Sequence, residues 1–73
     1  MELTKLEKAI AIGTILSTLT EEELKESVGL EKLQAFIEQG EVLDENITPN
    51  EKKEADKTLI NKLIDSFLEE CKG

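Results

Sequence analysis

Oxygen-bearing side chains occupy alternate positions of one short segment, at Asp44, Asn46, Thr48 and Asn50. Calcium-binding loops show this alternation, because the side chains coordinate the ion. Such a loop also needs a glycine at its sixth position for a sharp turn and a bidentate glutamate at its twelfth. The chain has Pro49 and Ala55 at those two positions. We therefore predict no calcium site here, and no metal or cofactor site elsewhere in the chain.

Side chains that usually carry catalysis are scarce. The chain has no histidine, and its four glycines are scattered instead of forming a phosphate-binding loop. Cys71 is the only cysteine, and Lys72 is its one basic neighbour. A small apolar residue packed in the last turn of a helix is the simplest interpretation of Cys71; an intermolecular disulfide and a reactive thiol are the alternatives. We predict no catalytic residue and no enzymatic activity, and the lone cysteine favours a reducing, cytoplasmic setting.

Acidic residues are concentrated in the middle of the chain. The formal net charge is −8, and residues 20–47 contribute nine acids against only two lysines. This excess indicates a protein partner with a basic surface, because complementary charge steers and orients association. The residues predicted to bind that partner are Glu22, Glu26, Glu31, Glu38, Glu41, Asp44 and Glu45.

Composition disfavours a nucleic-acid partner. Such binding depends on neutralising phosphates and stacking bases. All nine cations are lysines, and the chain has neither arginine, tryptophan nor tyrosine. The two helical segments flanking Gly29 have helix-turn-helix spacing, but the second carries only one cation, Lys32, before Gly40. We predict no nucleic-acid binding.

Three capping boxes mark where helices begin. Each box pairs a threonine with a glutamate three residues later, at Thr4–Glu7, Thr20–Glu23 and Thr48–Glu51. The first predicts a helix from Lys5 to Ser17 or Thr18. The third, with Pro49 at the first helical position, predicts a helix to about Cys71 that Lys72 and Gly73 end.

The middle of the chain is less regular. After Val28 the apolar residues change helical face, and Gly29 falls at the change, which favours a turn between two short helices. We predict that the second of these covers residues 30–39 and that Gly40 ends it as a left-handed cap. Residues 41–47 are then predicted to be a loop anchored on the core by Val42, Leu43 and Ile47.

The uncharged stretch from Ala9 to Thr20 requires a separate interpretation. It is shorter than the roughly 20 apolar residues that span a membrane, and no small-residue cleavage site follows it. Two apolar seams run along it, which predicts a helix buried over most of its circumference. Gly13 lies near its middle, where we expect another backbone to approach closely. We predict neither a membrane span nor a signal peptide.

These elements define a single all-α domain over residues 1–73. We expect a small three-helix bundle, or four helices if the chain breaks near Gly29. A core of this size rarely supplies more than ~3–5 kcal/mol, and oligomerisation is a common supplement. The sequence leaves the choice between monomer and homodimer open, and Ile60, Ile64 and Phe67 are the predicted oligomer interface.

Two functions remain. The first is a small acidic interaction module of the inhibitor, adaptor or antirepressor type, which binds a basic protein surface through residues 20–47. Phage and mobile-element inhibitors are analogous in type, although no motif links the chain to a particular family. The alternative is a structural homo-oligomer assembled through apolar helix faces, in which acidity serves solubility only.

Overall fold

The computed structural model of the protein describes residues 2–72, which form four α-helices and no strand. α1 comprises Lys5–Leu16, α2 Glu21–Ser27, α3 Leu30–Glu45 and α4 Pro49–Lys72. The all-α prediction is confirmed, and the described residues form the four helices that are expected if the chain breaks near Gly29. α4 matches its predicted range to within one residue, and Gly73, which is predicted to help end it, lies outside the described residues.

Each predicted capping box is formed. The Thr4 hydroxyl accepts a hydrogen bond from the Glu7 amide at 3.1 Å, and the Glu7 carboxylate accepts one from the Thr4 amide at 2.8 Å. The same reciprocal pair occurs at Thr20–Glu23 and at Thr48–Glu51. These bonds satisfy amides that the first turn of a helix leaves without partners. Local sequence therefore fixes where α1, α2 and α4 begin.

Gly29 separates α2 from α3, as the change of apolar face predicts. Its φ is +94°, a backbone conformation that side chains with a Cβ rarely adopt. Glycine is the residue type that adopts a positive φ without steric cost, so the chain can turn at this position.

The predicted helix end at Gly40 is wrong. α3 continues through Gly40 to Glu45, so most of the predicted loop 41–47 is helical. The residues that follow Gly40 are helix-compatible, and Leu43 extends the row of half-buried positions that includes Leu33 and Phe36. Continuing this row outweighs the roughly 1 kcal/mol that glycine costs inside a helix.

The predicted burial of the uncharged stretch is also wrong. α1 ends at Leu16, one or two residues earlier than predicted, and no residue from Ala9 to Thr20 is fully buried. Ile15 is 60 % exposed. An added Cβ at Gly13 would meet no atom within 4 Å, so no backbone approaches there. Two apolar seams need two neighbouring helices, and only α4 packs extensively on α1.

The four helices are arranged openly, with α1 packed on α4 and α2 packed on α3. Among the described residues, Leu59 is the one apolar side chain that is buried. The accessible surface is 6014 Å², whereas a compact monomer of this mass exposes about 4,500 Å². The radius of gyration is 14.1 Å, against about 11 Å for a compact chain of this length. The single chain therefore leaves roughly 1,500 Å² more surface in water than a closed fold would.

Candidate functional site

Glu7 is the most buried side chain that the structure describes, with 1 % of its surface exposed. Its carboxylate accepts hydrogen bonds from Lys62 Nζ at 2.6 Å, Thr58 Oγ1 at 2.7 Å and the Thr4 amide at 2.8 Å. Thr58 and Lys62 lie one turn apart on α4, so both reach the same carboxylate. Glu7 thus joins the first turn of α1 to the middle of α4.

These donors hold Glu7 in its ionised form. The Lys62 ammonium, followed by the Thr4 amide and the Thr58 hydroxyl, lowers the pKa of Glu7 from 4.5 to about 2. A carboxylate with this pKa is a poor general acid, and the three donors already occupy it. Its chemistry is therefore that of a fixed ion pair between two helices.

Glu23 shows how a capping box alone, without a lysine, affects the pKa and the contacts of its glutamate. It forms the same reciprocal bonds with Thr20, and the Thr20 amide, followed by the Thr20 hydroxyl, lowers the pKa of Glu23 as well. Glu23 is exposed and makes no contact with a distant helix comparable to those of Glu7. The link to α4 is therefore particular to Glu7.

A groove lies between α1, α3 and the beginning of α4. Its volume is about 690 Å³. Apolar and small residues form most of its lining on α1 and α3, while Lys52 and Asp56 of α4 border it. Gly40 lies in the groove, and an added Cβ there would meet no atom within 4 Å. The groove is open space that the chain itself does not fill.

An apolar stripe on α4 is the second surface, after the groove, that no other part of the described chain covers. The face of α4 that packs on α1 carries Ala55, Leu59, Lys62 and Ser66, which are buried or half-buried. The more apolar side lies about 130° further round the helix. We call this side the α4 stripe, and it consists of Ile60, Leu63, Ile64, Phe67, Leu68 and Cys71. All six residues are exposed, and Phe67 reaches 63 %.

The α4 stripe contains the three residues predicted from sequence as an oligomer interface. Ile60 is 52 % exposed and Ile64 47 %. In the isolated chain these two residues and Phe67 are therefore on the surface. Cys71 is also exposed, which corrects its interpretation as a packed apolar residue.

The seven predicted partner-binding acids are all exposed, but they do not form one patch. Glu22 and Glu26 lie on α2. On α3, Glu31, Glu38 and Glu45 recur every seven residues and so share one face. Glu41 and Asp44 instead line the groove.

Sequence reasoning missed the cluster of Glu7, Thr58 and Lys62. The capping box gave Glu7 a complete local role, and its other two partners lie 51 and 55 residues further along the chain. A signal was present in the sequence, since Thr58 and Lys62 are polar residues four positions apart on α4, and Lys62 follows Leu59 by three positions.

Comparison with known proteins gives no relative from which a function could be transferred. No known protein family, curated protein or solved structure matches the chain. Within the part of the chain that the structure describes, no helix has the length and apolar character needed to cross a membrane.

Proposed function

We propose that the protein is a non-catalytic interaction module that functions as a self-associated assembly. The observation that carries this proposal is the large apolar surface that the single chain leaves exposed. Twelve large apolar side chains between residues 2 and 72 are more than a third exposed, against one that is buried. Exposed apolar patches much larger than a few hundred Å² are unusual on a protein that remains monomeric.

The excess surface has the size that an interface requires. Standard interfaces bury about 800 Å² on each partner, and obligate homodimers bury more. The excess of roughly 1,500 Å² per chain lies in the obligate range. A second copy is the partner we propose, because an identical chain is present wherever this chain is, and its binding stabilises the folded state increasingly as the concentration exceeds the dissociation constant.

The test is substitution of an exposed stripe residue by a charge. Phe67→Asp and Ile64→Asp should yield a folded monomer with unchanged helix content, because neither side chain is buried within the chain. Molar mass from light scattering and helix content from circular dichroism measure the two properties. Glu69→Asp, on the opposite side of α4, is the control. A variant that keeps the molar mass of a wild-type dimer would contradict the proposal, because the substituted residue would then lie outside the interface.

The outer face of α3 supports a second interaction, with a basic protein surface. Glu31, Glu38 and Glu45 point away from the groove-lining residues Phe36 and Leu43 on the same helix. This face therefore stays accessible when the groove is filled. We propose that it binds a basic partner, and that the assembly presents it in more than one copy.

A lysine-rich peptide is the probe for this second interaction. Its affinity should fall steeply between low and high salt, because exposed charges are screened. Reversal of Glu31, Glu38 and Glu45 to lysine should abolish binding, whereas reversal of Glu54, Asp65 and Glu69, which are exposed on α4, should weaken it much less. Equal losses in the two triple variants would show that net charge alone attracts the peptide, and would remove the case for an α3 site.

A further inference from the structure

We propose that the α4 stripe of one copy lies in the groove of a second copy, and that the second copy returns the same contact. This inference rests on the proposed self-association and specifies its geometry. It assigns one two-fold interface in which the stripe and the groove are both covered.

The positions of the two features along α4 favour an antiparallel arrangement. The groove borders the beginning of α4, at Lys52 and Asp56, and the stripe occupies the other half, from Ile60 to Cys71. A two-fold axis near the middle of α4 places the second half of each α4 beside the first half of its partner. One symmetry operation then brings each stripe to the partner's groove, as an isologous interface requires.

Charge on the stripe side of α4 agrees with this direction. In the first half of α4, Lys52, Lys53 and Lys57 face this side with Asp56, while Glu51 and Glu54 point away from it. In the second half, Glu70 is the charged residue at the edge of the stripe. Antiparallel pairing brings Glu70 to the lysines of the partner. A parallel pairing would place the lysines of both copies together.

The area also distinguishes this arrangement from simpler ones. Pairing of the two stripes alone would leave both grooves open. The excess of roughly 1,500 Å² per chain is nearly twice the area that each partner buries in a standard interface. Reciprocal seating covers both features at once, and the open space at Gly40 gives an incoming helix room to approach.

Gly40→Leu tests the groove without removing any contact within the chain. An added Cβ at this position meets nothing within 4 Å, and leucine is the better helix former. The monomer should therefore keep its helix content, while the dimer dissociation constant should rise at least tenfold because the groove is blocked. Gln34→Leu makes a neutral change on the outer face of α3 and should alter that constant less than twofold. Phe67→Ser should weaken the same contact from the stripe side.

The direction of pairing can be measured with a spin label at Glu69. The label is attached to the Glu69→Cys variant with Cys71→Ser, on the side of α4 opposite the stripe. Antiparallel pairing separates the two labels by about 25 Å along the helix axis, and by more than about 30 Å once the width of the two helices is included. Parallel pairing leaves only the width of two helices between them, about 20 Å.

The outcomes separate this inference from the proposed function. A wild-type dimer that Gly40→Leu dissociates, with labels 30 Å or more apart, is the expected result. A wild-type dimer that Gly40→Leu leaves intact, a label distance of about 20 Å, or an assembly larger than two chains would overturn the reciprocal arrangement while self-association stands. A wild-type monomer would overturn the proposed function itself.

Discussion

Two regions of α4 differ in the side chains that they bury and expose. The first is its contact with α1, and the second is its distal half, from Ile60 to Lys72. The first is organised around a buried charge, and every buried polar side-chain atom in the described residues has a hydrogen-bond partner. The second carries the α4 stripe, whose apolar residues are all exposed. A buried ion pair contributes little net stability but is costly to break. We infer from this comparison that Glu7 sets how the two helices meet, and we propose that the exposed apolar surfaces serve association.

The largest expected effect comes from removing the buried apolar residue. Leu59→Ala should cost about 2–5 kcal/mol of folding free energy, which is comparable with the ~3–5 kcal/mol that a core of this size supplies. We expect the chain to lose most of its helix content by circular dichroism. Val42→Ala, at an exposed position on α3, should change stability by less than about 0.5 kcal/mol. Similar effects of the two substitutions would show that Leu59 is not the centre of the fold.

The next effect concerns pH and follows from the lowered pKa of Glu7. Because Glu7 titrates at about 2 in the folded chain and 4.5 is its ordinary value, its stabilising contribution is complete above pH 4.5. That contribution is lost as the pH falls from 4.5 towards 2. Urea unfolding across this window should show a steeper acid loss for wild type than for Glu7→Gln.

Glu23→Gln is the matched control for the pH dependence, since it alters a capping box without a lysine. It should reduce the acid sensitivity much less than Glu7→Gln. If both variants flatten the pH dependence equally, the capping amide and not Lys62 dominates the titration of Glu7.

A smaller effect is expected from Lys62→Met, which keeps the apolar stem of the side chain and removes its ammonium group. The pKa of Glu7 should rise towards 4.5, because its strongest donor is lost while the bonds from Thr4 and Thr58 remain. Carboxyl ¹³C chemical shifts of Glu7 followed by NMR measure this change. An unchanged pKa would mean that the ion pair does not persist in solution.

The smallest effect is a gain in stability. Gly13→Ala should stabilise α1 by about 0.5–1 kcal/mol, because alanine is the better helix former and the new methyl group meets no neighbour. The measurement belongs in the Phe67→Asp background, where self-association is removed. A loss of stability in that background would show that another residue lies close to Gly13. This result would contradict the open arrangement of the helices.

Local signals explain most of what the sequence predicts correctly. The three capping boxes and the positive φ of Gly29 depend on residues within one helical turn, so a single sequence contains all the information they need. Gly40 misleads for the same reason. Its local signal indicates a helix end, but the helical row from Leu33 to Leu43 continues past it.

Burial was harder to predict, because it depends on distant elements. The apolar residues around Ile12 and Ile15 predict an interior helix, but an interior requires neighbours that the single chain lacks. Glu7 is the converse case, since its burial depends on Thr58 and Lys62 more than fifty residues away. The candidate interface at Ile60, Ile64 and Phe67 is a prediction from sequence that solution measurements must decide.

The molar mass of the wild-type chain in solution tests the central claim most directly. Light scattering with refractive-index detection suits a chain without tryptophan or tyrosine, measured across a concentration series at low and high salt. We predict a mass of twice 8.2 kDa that salt does not reduce, because apolar contacts hold the copies together. A mass of 8.2 kDa at every concentration would contradict the account.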